Sequence, residues 1–527
     1  MLKRIKKWFY TFTGILLLYP SIGITALQSE RYFNNTGGLM DRYSPILVPS
    51  KNASDIQNIQ FDTRGILLKR SGYLKNNSGN LNSSAVNGLG YLQSTTGTSF
   101  LAVVVGTNVY TTGNTYGGSY TNVTGTITLT ATATNLAQIT NFKDYAVSCN
   151  ETDSPIKIQS AAAYKIQGAS TGSKTCESFN NYLLLGNTSE DGTTYGSRLR
   201  WSDLNDLTSW PANNYIDVEP DDGDSIVAIK RYETNLYIFK KKSIYEAVIT
   251  GASGADAFIV RPVTRGLGAW AKNSVKVIEN KGLVFLGPDG VYLFDGSSFD
   301  FISDPIQTQI NGLNRSRYAY SVGAVYPTKH QYWLSTSEGT DTTNQTILVW
   351  DYIQEAWTVY SGITANALTQ VEDSNGNMLI FSGDNSGNVY KQDTGTSDSP
   401  AGVTTAISSF YATPELTFGT PEIDKTYKYL YVYSKVSSTT TIVVDVAYDF
   451  AGGYQDNMSL SVGQSGAVWG TALWGTDRWP SISTRVSRLE LNRRARSIRI
   501  KFSDSSSTSL GVLGWAIIYS MEDYRGN

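Results

Sequence analysis

Carboxylates are concentrated in one short stretch of this 527-residue chain, and they are the residues whose types and spacing come closest to a chemical site. The stretch contains Asp217, Glu219, Asp221, Asp222 and Asp224. A tight loop with several carboxylates is what a hard cation such as Ca²⁺ requires, so these five are candidate metal ligands. Their spacing does not match an EF-hand loop, and Pro-Asp-Asp-Gly also forms a simple turn with a solvated acidic face. We expect no resident metal or cofactor, and we keep the five carboxylates as candidate calcium ligands.

The same stretch could supply a pair of carboxylates for glycoside hydrolysis, although such pairs are common in β proteins. The single histidine, His330, follows a turn-like Pro-Thr-Lys sequence, and no G-x-S-x-G motif or other nucleophile motif accompanies it. We interpret His330 as a solvated turn residue. The sequence therefore predicts that the protein is not an enzyme.

Two cysteines, Cys149 and Cys176, are separated by 27 positions. A disulfide in an oxidising compartment and two free buried thiols both fit this pattern. With one histidine and two cysteines, the chain has too few ligands for a Cys/His zinc site and cannot be a disulfide-dense scaffold.

Basic residues gather near the C-terminus, where they alternate with apolar ones: Arg485, Arg488, Arg493, Arg494, Arg496, Arg499 and Lys501. A strand with this alternation could present several cations on one face to phosphate or to an acidic partner. The solvated face of a half-buried strand is the simpler interpretation, and we favour it. Over the whole chain, 43 Lys and Arg balance 45 Asp and Glu, so the electrostatic footprint of a protein that grips nucleic acid is missing.

The elements that position these residues are predominantly strands. Short apolar segments recur about every 40 to 50 residues, each followed by a Gly/Asn/Asp turn and a second strand, which is the signature of propeller blades. The clearest segments are residues 101–105, 182–185, 236–239, 283–286, 332–334 and 379–381. We predict about six to eight blades, and we leave residues 74–98 open between a loop and a partial blade closed by a terminal strand.

Beyond residue 400 the strands become longer, with a Gly/Trp-rich segment at 468–480 between them. We interpret this part as an antiparallel β-sandwich. The predicted fold class is therefore all-β, a β-propeller followed by a C-terminal antiparallel β-sandwich. The predicted units are an apolar N-terminal segment (1–36), the propeller with its N-terminal lead-in (37–395) and the sandwich-like domain (396–527).

The N-terminus combines Lys3, Arg4, Lys6 and Lys7 with an uncharged run from Trp8 to Gln28. A basic region followed by an apolar one is typical of a secretory signal, and about 20 uncharged residues also suffice to cross a bilayer. Three interpretations stay open: a removed signal, a membrane anchor through residues 8–27, or an apolar arm buried against a partner subunit.

Several segments occur together in a recognisable order. They are GGLM (37–40), NASDIQN (52–58), LKRSGY (68–73), RWSDLNDLTSWP (200–211), DDGDSI (221–226), LYIFKK (236–241), GPDGVY (287–292) and ISDPI (302–306). This order resembles the β-propeller tail proteins of short-tailed bacteriophages, of the nozzle or tail-tubular-protein-B type. The resemblance covers residues 37–393, and the region from Pro414 to Tyr519 is similar to the C-terminal region of that family. The signal-like N-terminus departs from what a cytoplasmically assembled tail protein would carry.

The resemblance implies a structural virion protein, located in the phage tail. Its subunits would form a ring, commonly a hexamer, below the portal and adaptor proteins. The ring would surround the path of the ejected double-stranded DNA without sequence-specific binding, would carry other tail proteins, and would have no small-molecule substrate. The alternative from the residues themselves is a secreted or surface-anchored propeller that binds or hydrolyses glycans, favoured by the N-terminal segment and the acidic stretch.

Overall fold

The computed structural model describes residues 26–62, 65–95, 97–113, 116–400, 402–436, 440–462 and 485–522. Five strands precede the first blade: β1 (Leu27–Phe33), β2 (Asp55–Gln57), β3 (Ile59–Phe61), β4 (Leu67–Lys69) and β5 (Leu74–Lys75). The apolar run from Trp8 to Thr25 and the Gly/Trp-rich segment at 468–480 lie outside the described residues. In the part of the chain that the structure describes, we find no helix whose length and apolar content would let it cross a bilayer.

Seven four-stranded antiparallel sheets follow within these ranges, and they form the blades of a β-propeller. Blade 1 contains β6 (Val86–Gln93), β7 (Ser99–Val105), β8 (Asn108–Thr112) and β9 (Tyr120–Asn122); blade 2 contains β10 (Gln138–Phe142), β11 (Tyr145–Cys149), β12 (Ile156–Ile158) and β13 (Ala163–Lys165). Blade 3 contains β14 (Gly172–Phe179), β15 (Tyr182–Glu190), β16 (Thr193–Trp201) and β17 (Tyr215–Asp217); blade 4 contains β18 (Ile226–Tyr232), β19 (Asn235–Lys240), β20 (Ser243–Ile249) and β21 (Phe258–Arg265). Blade 5 contains β22 (Lys276–Ile278), β23 (Gly282–Leu286), β24 (Val291–Phe294) and β25 (Phe299–Phe301). Blade 6 contains β26 (Val322–Tyr326), β27 (Gln331–Thr336), β28 (Thr346–Asp351) and β29 (Ala356–Tyr360); blade 7 contains β30 (Ala367–Glu372), β31 (Met378–Gly383) and β32 (Val389–Lys391), completed by β5.

The first strand of each blade contacts the first strand of the next, and β30 of blade 7 contacts β6 of blade 1, so the circle closes. Short helical turns lie between strands: α1 (Gln307–Gly312) and the 3₁₀ turns Pro220–Asp222, Gly254–Asp256, Lys272–Ser274, Asp304–Ile306, Arg315–Tyr320 and Pro327–Lys329. The predicted propeller is confirmed, and the described residues give it seven blades.

Local sequence explains the hairpins inside the blades. Asn180 and Asn181, between β14 and β15, both have positive φ, and so do Asp191 and Gly192 between β15 and β16. Two-residue hairpins of the type I′ class require positive φ at both central positions, which Asn, Asp and Gly tolerate best. These turns fix the antiparallel register that carries each apolar strand into the core.

The propeller is closed by the chain preceding it. Lys75 pairs with Tyr390, and Leu74 pairs with Lys391, so β5 becomes the outer strand of blade 7. Of the two alternatives left open for residues 74–98, a terminal strand closing a blade is therefore the observed one. Residues 86–93 begin blade 1 as its innermost strand, β6.

The remaining strands form a unit at the C-terminus: β33 (Ser397–Asp398), β34 (Thr405–Ala406), β35 (Ser409–Ala412), β36 (Lys425–Val436), β37 (Thr440–Tyr448), β38 (Asp456–Val462), β39 (Arg485–Ala495), β40 (Ile498–Asp504) and β41 (Leu510–Met521). One sheet has the order β3-β4-β41-β36-β39, with β1 also paired to β41, and the other has the order β2-β35-β40-β37-β38. Strands β2 to β4, expected as a lead-in to the propeller, thus belong to these sheets: β2 pairs with β35, β4 pairs with β41, and β3 pairs with β4. The sandwich arrangement itself stays a prediction.

One buried cluster joins this C-terminal unit to the propeller. It runs from Val444 and Trp515 in the two C-terminal sheets through Ile56 to Leu286 in blade 5 and Trp357 in blade 6. Because these side chains exclude water together, the propeller and the C-terminal sheets share a core.

Cys149 and Cys176 form a disulfide, with their Cα atoms 6.4 Å apart. The bond links β11 of blade 2 to β14 of blade 3. Of the two alternatives that the spacing left open, the bonded form is the one observed.

Candidate functional site

The acidic stretch lies at the junction between blades 3 and 4 and contacts both. Asp217 ends β17 and accepts two hydrogen bonds from Arg198, at 2.8 and 2.9 Å. The Arg198 guanidinium lies 3.7 Å from the ring centre of Tyr195 and 3.8 Å from that of Tyr215. A guanidinium held by a bidentate carboxylate between two aromatic faces is a rigid structural contact.

The next carboxylates of the stretch are also engaged by protein donors. Glu219 accepts from Arg265 and, at 2.9 Å, from the Tyr245 hydroxyl, and these hydrogen bonds lower the pKa of Glu219. Asp222 pairs with the buried ammonium of Lys240 at 2.7 Å. These two carboxylates therefore already neutralise cations of blade 4.

Asp224 accepts the backbone N–H of Lys242 and that of Ser225, each at 2.8 Å, while Asp221 is exposed. Within the described ranges, no group of three or more His, Cys, Asp or Glu side chains is arranged to hold a metal ion. The five candidate ligands thus do not converge, because each engaged carboxylate has a different partner: Arg198 of blade 3 binds Asp217, and residues of blade 4 bind the others. The arrangement points to a structural role for this loop.

The basic residues near the C-terminus lie on β39, on β40 and in the turn between them. Arg493 pairs with Asp456 at 2.9 Å, and Arg494 pairs with Asp424 at 2.9 Å. Arg488 lies over the ring of Tyr429 at 4.9 Å. Of the others, Arg485 begins β39, Arg496 lies 3.8 Å from Asp424, Arg499 donates to the Ala451 carbonyl, and Lys501 lies 4.0 Å from the Phe410 ring centre. Strand β39 is largely solvent-exposed, and carboxylates of neighbouring segments, Asp456 and Asp424, pair with its arginines.

His330 ends the 3₁₀ turn Pro327–Lys329 with φ of 56°, in the left-handed region. Its ring is half-buried and meets Tyr352 edge-on, with centroids 5.7 Å apart. Its position in a turn agrees with the sequence, although the ring packs on an aromatic neighbour and is not fully solvated.

A polar groove of about 850 Å³ lies on the outer part of blade 2. Tyr164, half-exposed, lies at the groove with Lys157, whose ammonium is 6.0 Å from the Tyr164 ring centre. Gln159 and Gln167 add amide groups to the lining. An exposed aromatic ring beside amides is chemistry that suits a sugar as well as many other polar ligands.

The six-stranded sheet has two open edges among the described residues. Strand β1 pairs with β41 alone, and β39 pairs with β36 alone, so the two lie at opposite edges of the sheet. Leu27 of β1 is 62% exposed, and Val486 of β39 is 51% exposed. Unpaired edge strands that carry exposed apolar side chains are templates for pairing with another chain.

The axial channel of the propeller has basic side chains that the sequence analysis did not single out. The first strands of the blades, with the turn before β22, enclose a cavity of about 450 Å³. Its charged lining consists of Glu177, Lys230, Arg231, Lys272 and Lys276. Their position in the repeat could have identified them from the sequence. Each of these residues lies in or just before the first strand of a blade, and such strands line the axis of a propeller.

Known proteins offer only distant likenesses to this chain. No family model matches the sequence, and no curated protein matches it. Among solved structures, the computationally designed Ika8 protein is 11% identical, with 61% of this chain and 100% of that chain covered and a TM-score of 0.37. The Cps50 (Swd1) β-propeller domain of Myceliophteria thermophila is 10% identical, with 61% and 99% covered and a TM-score of 0.39. A chain of the mitotic checkpoint complex is 10% identical, with 63% and 96% covered and a TM-score of 0.38. No function is transferred from likenesses at this level.

Proposed function

We propose that this protein is a structural component of a bacteriophage tail, a ring-forming nozzle subunit below the portal and adaptor. Two things support the proposal: the resemblance of residues 37–393 to tail nozzle proteins, and the pair of open edges on the six-stranded sheet. The edges are the observation from the structure that carries it, because they suit association of identical subunits in a ring.

The geometry of the edges favours a head-to-tail contact. Along β1, β41, β36 and β39, every neighbouring pair is antiparallel. If the sheet continued into a second copy, β1 of one subunit would meet β39 of the next in the same antiparallel sense. Contacts between two different surfaces of identical subunits generate a ring when the rotation closes. We propose a hexamer as the closed form.

The charge of the chain suits a conduit. With 43 basic and 45 acidic residues, a ring of these subunits would not hold passing DNA through many phosphate contacts, each of which adds affinity by releasing counterions. In this proposal the DNA passes along the axis of the ring, and the outside of the ring carries other tail proteins. The protein has no substrate to turn over, and its place is the virion.

Particle mass tests this proposal. We expect the full-length protein to form a closed ring several times 57.7 kDa, seen by light scattering and negative-stain imaging. Leu27→Asp and Val486→Asp each place a charge on one open edge and should abolish the ring. Leu204→Asp is the matched control, because Leu204 is 53% exposed and lies in a loop of blade 3.

A mixture of the two edge variants sharpens the experiment. Leu27→Asp leaves β39 intact, and Val486→Asp leaves β1 intact, so one productive interface remains and the mixture should form heterodimers but no ring. A wild-type protein that stays monomeric at every concentration, or edge variants that form the ring normally, would contradict the proposal.

The second candidate is a secreted or surface-anchored propeller that binds or hydrolyses glycans. The groove at Tyr164 on blade 2 is the observation that favours it, since its exposed ring and amide groups suit a saccharide. A glycan array probed with the wild-type protein and with Tyr164→Ala tests this candidate. A saccharide retained by the wild-type protein and lost in the variant would support it, and no retained saccharide would exclude binding at this groove.

A further inference from the structure

The axial channel concentrates positive charge in a chain that is otherwise close to neutral. Lys230, Arg231, Lys272 and Lys276 line the cavity, and Glu177 is its carboxylate. The ammonium of Lys230 lies 2.6 Å from Glu177, which is 7% exposed and also lies 3.4 Å from the Thr140 hydroxyl. The acidic group of the channel is therefore already committed to Lys230.

The other three cations have no counter-charge of this kind. Among the described residues, no ion pair includes Arg231, Lys272 or Lys276. Lys272 is buried and donates to the Lys174 carbonyl at 2.9 Å, and Arg231 donates to the Glu233 carbonyl at 3.3 Å. Cations that line a confined space and outnumber its carboxylates repel each other and lose hydration, which costs stability.

The fold does not require these charges. Leu89 on the first strand of blade 1 and Val322 on the first strand of blade 6 line the same cavity. Apolar side chains can thus form part of the channel wall, and a bound anion would compensate the cations at the three other positions.

A second, smaller space shares a lining residue with the cavity. This space of about 150 Å³ shares Lys272 and is lined by Lys174, Lys241 and Glu151, together with Trp270 and Tyr320. Glu151 is paired with Lys174 at 3.1 Å, so this space also has more positive than negative groups.

We propose that the axial channel is a binding site for a polyvalent phosphate-type oxyanion, with Arg231, Lys272 and Lys276 as its direct ligands. Lysine ammonium groups and a guanidinium are the side chains that recognise phosphate oxygens, the first as point charges and the second as a planar fork. A volume of about 450 Å³ lies within the range of small-molecule sites. This site belongs to a single subunit and is independent of the proposed ring.

Binding of an anion should change the protonation of Lys272 and Lys276, and this change can be measured. Burial lowers the pKa of Lys272 to about 7, with Glu151 opposing and Lys174 adding to the shift. Burial also lowers the pKa of Lys276 to about 8, where Lys230 adds to the shift and Glu177 opposes it. An anion bound in the cavity favours the charged forms, so binding at pH 8 must take up protons, and affinity must fall as the pH rises from 6.5 to 8.5.

Isothermal titration of the full-length protein with tripolyphosphate tests the proposal. We expect saturable binding at pH 6.5, about tenfold weaker binding at pH 8.5, and proton uptake at pH 8 in two buffers of different ionisation enthalpy. The variant Lys272→Met/Lys276→Met lacks two of the three proposed ligands, and its affinity for tripolyphosphate should be at least about a hundredfold lower than that of the wild type. Lys51→Met, at an exposed position outside the channel, is the control and should bind like the wild type.

Thermal unfolding distinguishes removal of the binding site from misfolding of the double variant. If the double variant is folded, it should melt at the same or a higher temperature than the wild type. Inorganic phosphate and ATP titrated in parallel identify the recognised group. We expect both to bind, with phosphate the weaker. No saturable heat from tripolyphosphate, equal affinity in the double variant, or binding of ATP without either inorganic ion would overturn the proposal.

Discussion

Lys69 and Asp504 form an ion pair inside the C-terminal unit, with 1% and 0% of their side-chain surfaces exposed. Lys69 ends β4 in the six-stranded sheet, and Asp504 ends β40 in the five-stranded sheet. Lys69 also donates to the Ser506 carbonyl, and Asp504 accepts from the Ser506 hydroxyl at 3.1 Å. The pair therefore connects the N-terminal strands to the C-terminal ones across two sheets.

Lys69→Met should lower the free energy of unfolding by about 3–5 kcal/mol, because it leaves a buried carboxylate without its counter-charge. Lys69→Met/Asp504→Leu removes both charges and should recover most of that loss. Urea unfolding of the wild type and both variants measures the difference. A double variant at least as unstable as Lys69→Met would show that the pair does not account for the effect.

Asn77 is the residue that anchors the closing strand of the propeller. Its side-chain oxygen accepts the Val389 N–H at 2.8 Å, and its amide donates to the Gly387 carbonyl at 3.2 Å. Asn77→Ala should cost about 1–3 kcal/mol, since the buried Val389 N–H loses its acceptor. Amide hydrogen exchange at Val389 should accelerate in this variant. Asn80→Ala is the matched control, because Asn80 is exposed, and equal effects of the two changes would contradict this role for Asn77.

The disulfide between Cys149 and Cys176 closes a loop of sequence separation 27 and joins two blades. Cys149→Ser/Cys176→Ser should lower the free energy of unfolding by about 2–4 kcal/mol, as expected for a loop of this length. Thermal unfolding with and without reductant checks the prediction. Reductant should lower the melting temperature of the wild type and leave the variant unchanged; a wild type with two titratable thiols would refute the bond.

The lowered pKa values of Lys272 and Lys276 predict how stability depends on pH. An unfolded lysine has a pKa near 10.4, so between about pH 7 and pH 9 the unfolded chain binds more protons than the folded one. The destabilising effect of the two charges is greatest below about pH 6 and is relieved progressively as the pH rises toward about 10. Unfolding free energies at pH 6.5, 7.5 and 9 should therefore show Lys272→Met/Lys276→Met more stable than the wild type at the lowest pH, with the gap closing above pH 8. A gap that is constant over this range would contradict the lowered pKa values.

Local features of this protein were accessible from its sequence. Alternating apolar strands and Gly/Asn/Asp turns are properties of a few neighbouring residues, and the predicted pairing of residues 283–286 with the segment after Gly290 is present, with Leu286 opposite Val291. Repetition of this unit indicated a propeller, because one blade cannot bury its faces alone. The resemblance added the expectation of a phage tail ring, which stays a proposal.

The role of the acidic stretch could not be predicted from local sequence. Five carboxylates within eight positions fit a cation loop, and only their partners in blades 3 and 4, Arg198, Lys240 and Arg265, give them other roles. Those partners are distant in sequence, and no spacing rule identifies them. The basic channel is the converse case, since Arg231 and Lys276 belong to different blades and line one cavity only because β18 of blade 4 packs beside β22 of blade 5.

The sequence by itself determined the strands, their turns and the repeat, since backbone preference and side-chain alternation act over a few residues. Tertiary structure alone decided the number of blades, the closing role of Leu74 and Lys75, the placement of β2 to β4 in sheets with C-terminal strands, and the presence of several cations around one cavity. Each of these depends on contacts between residues far apart in the chain. Such contacts form where burial of the whole apolar surface is most favourable, a condition that no local segment contains.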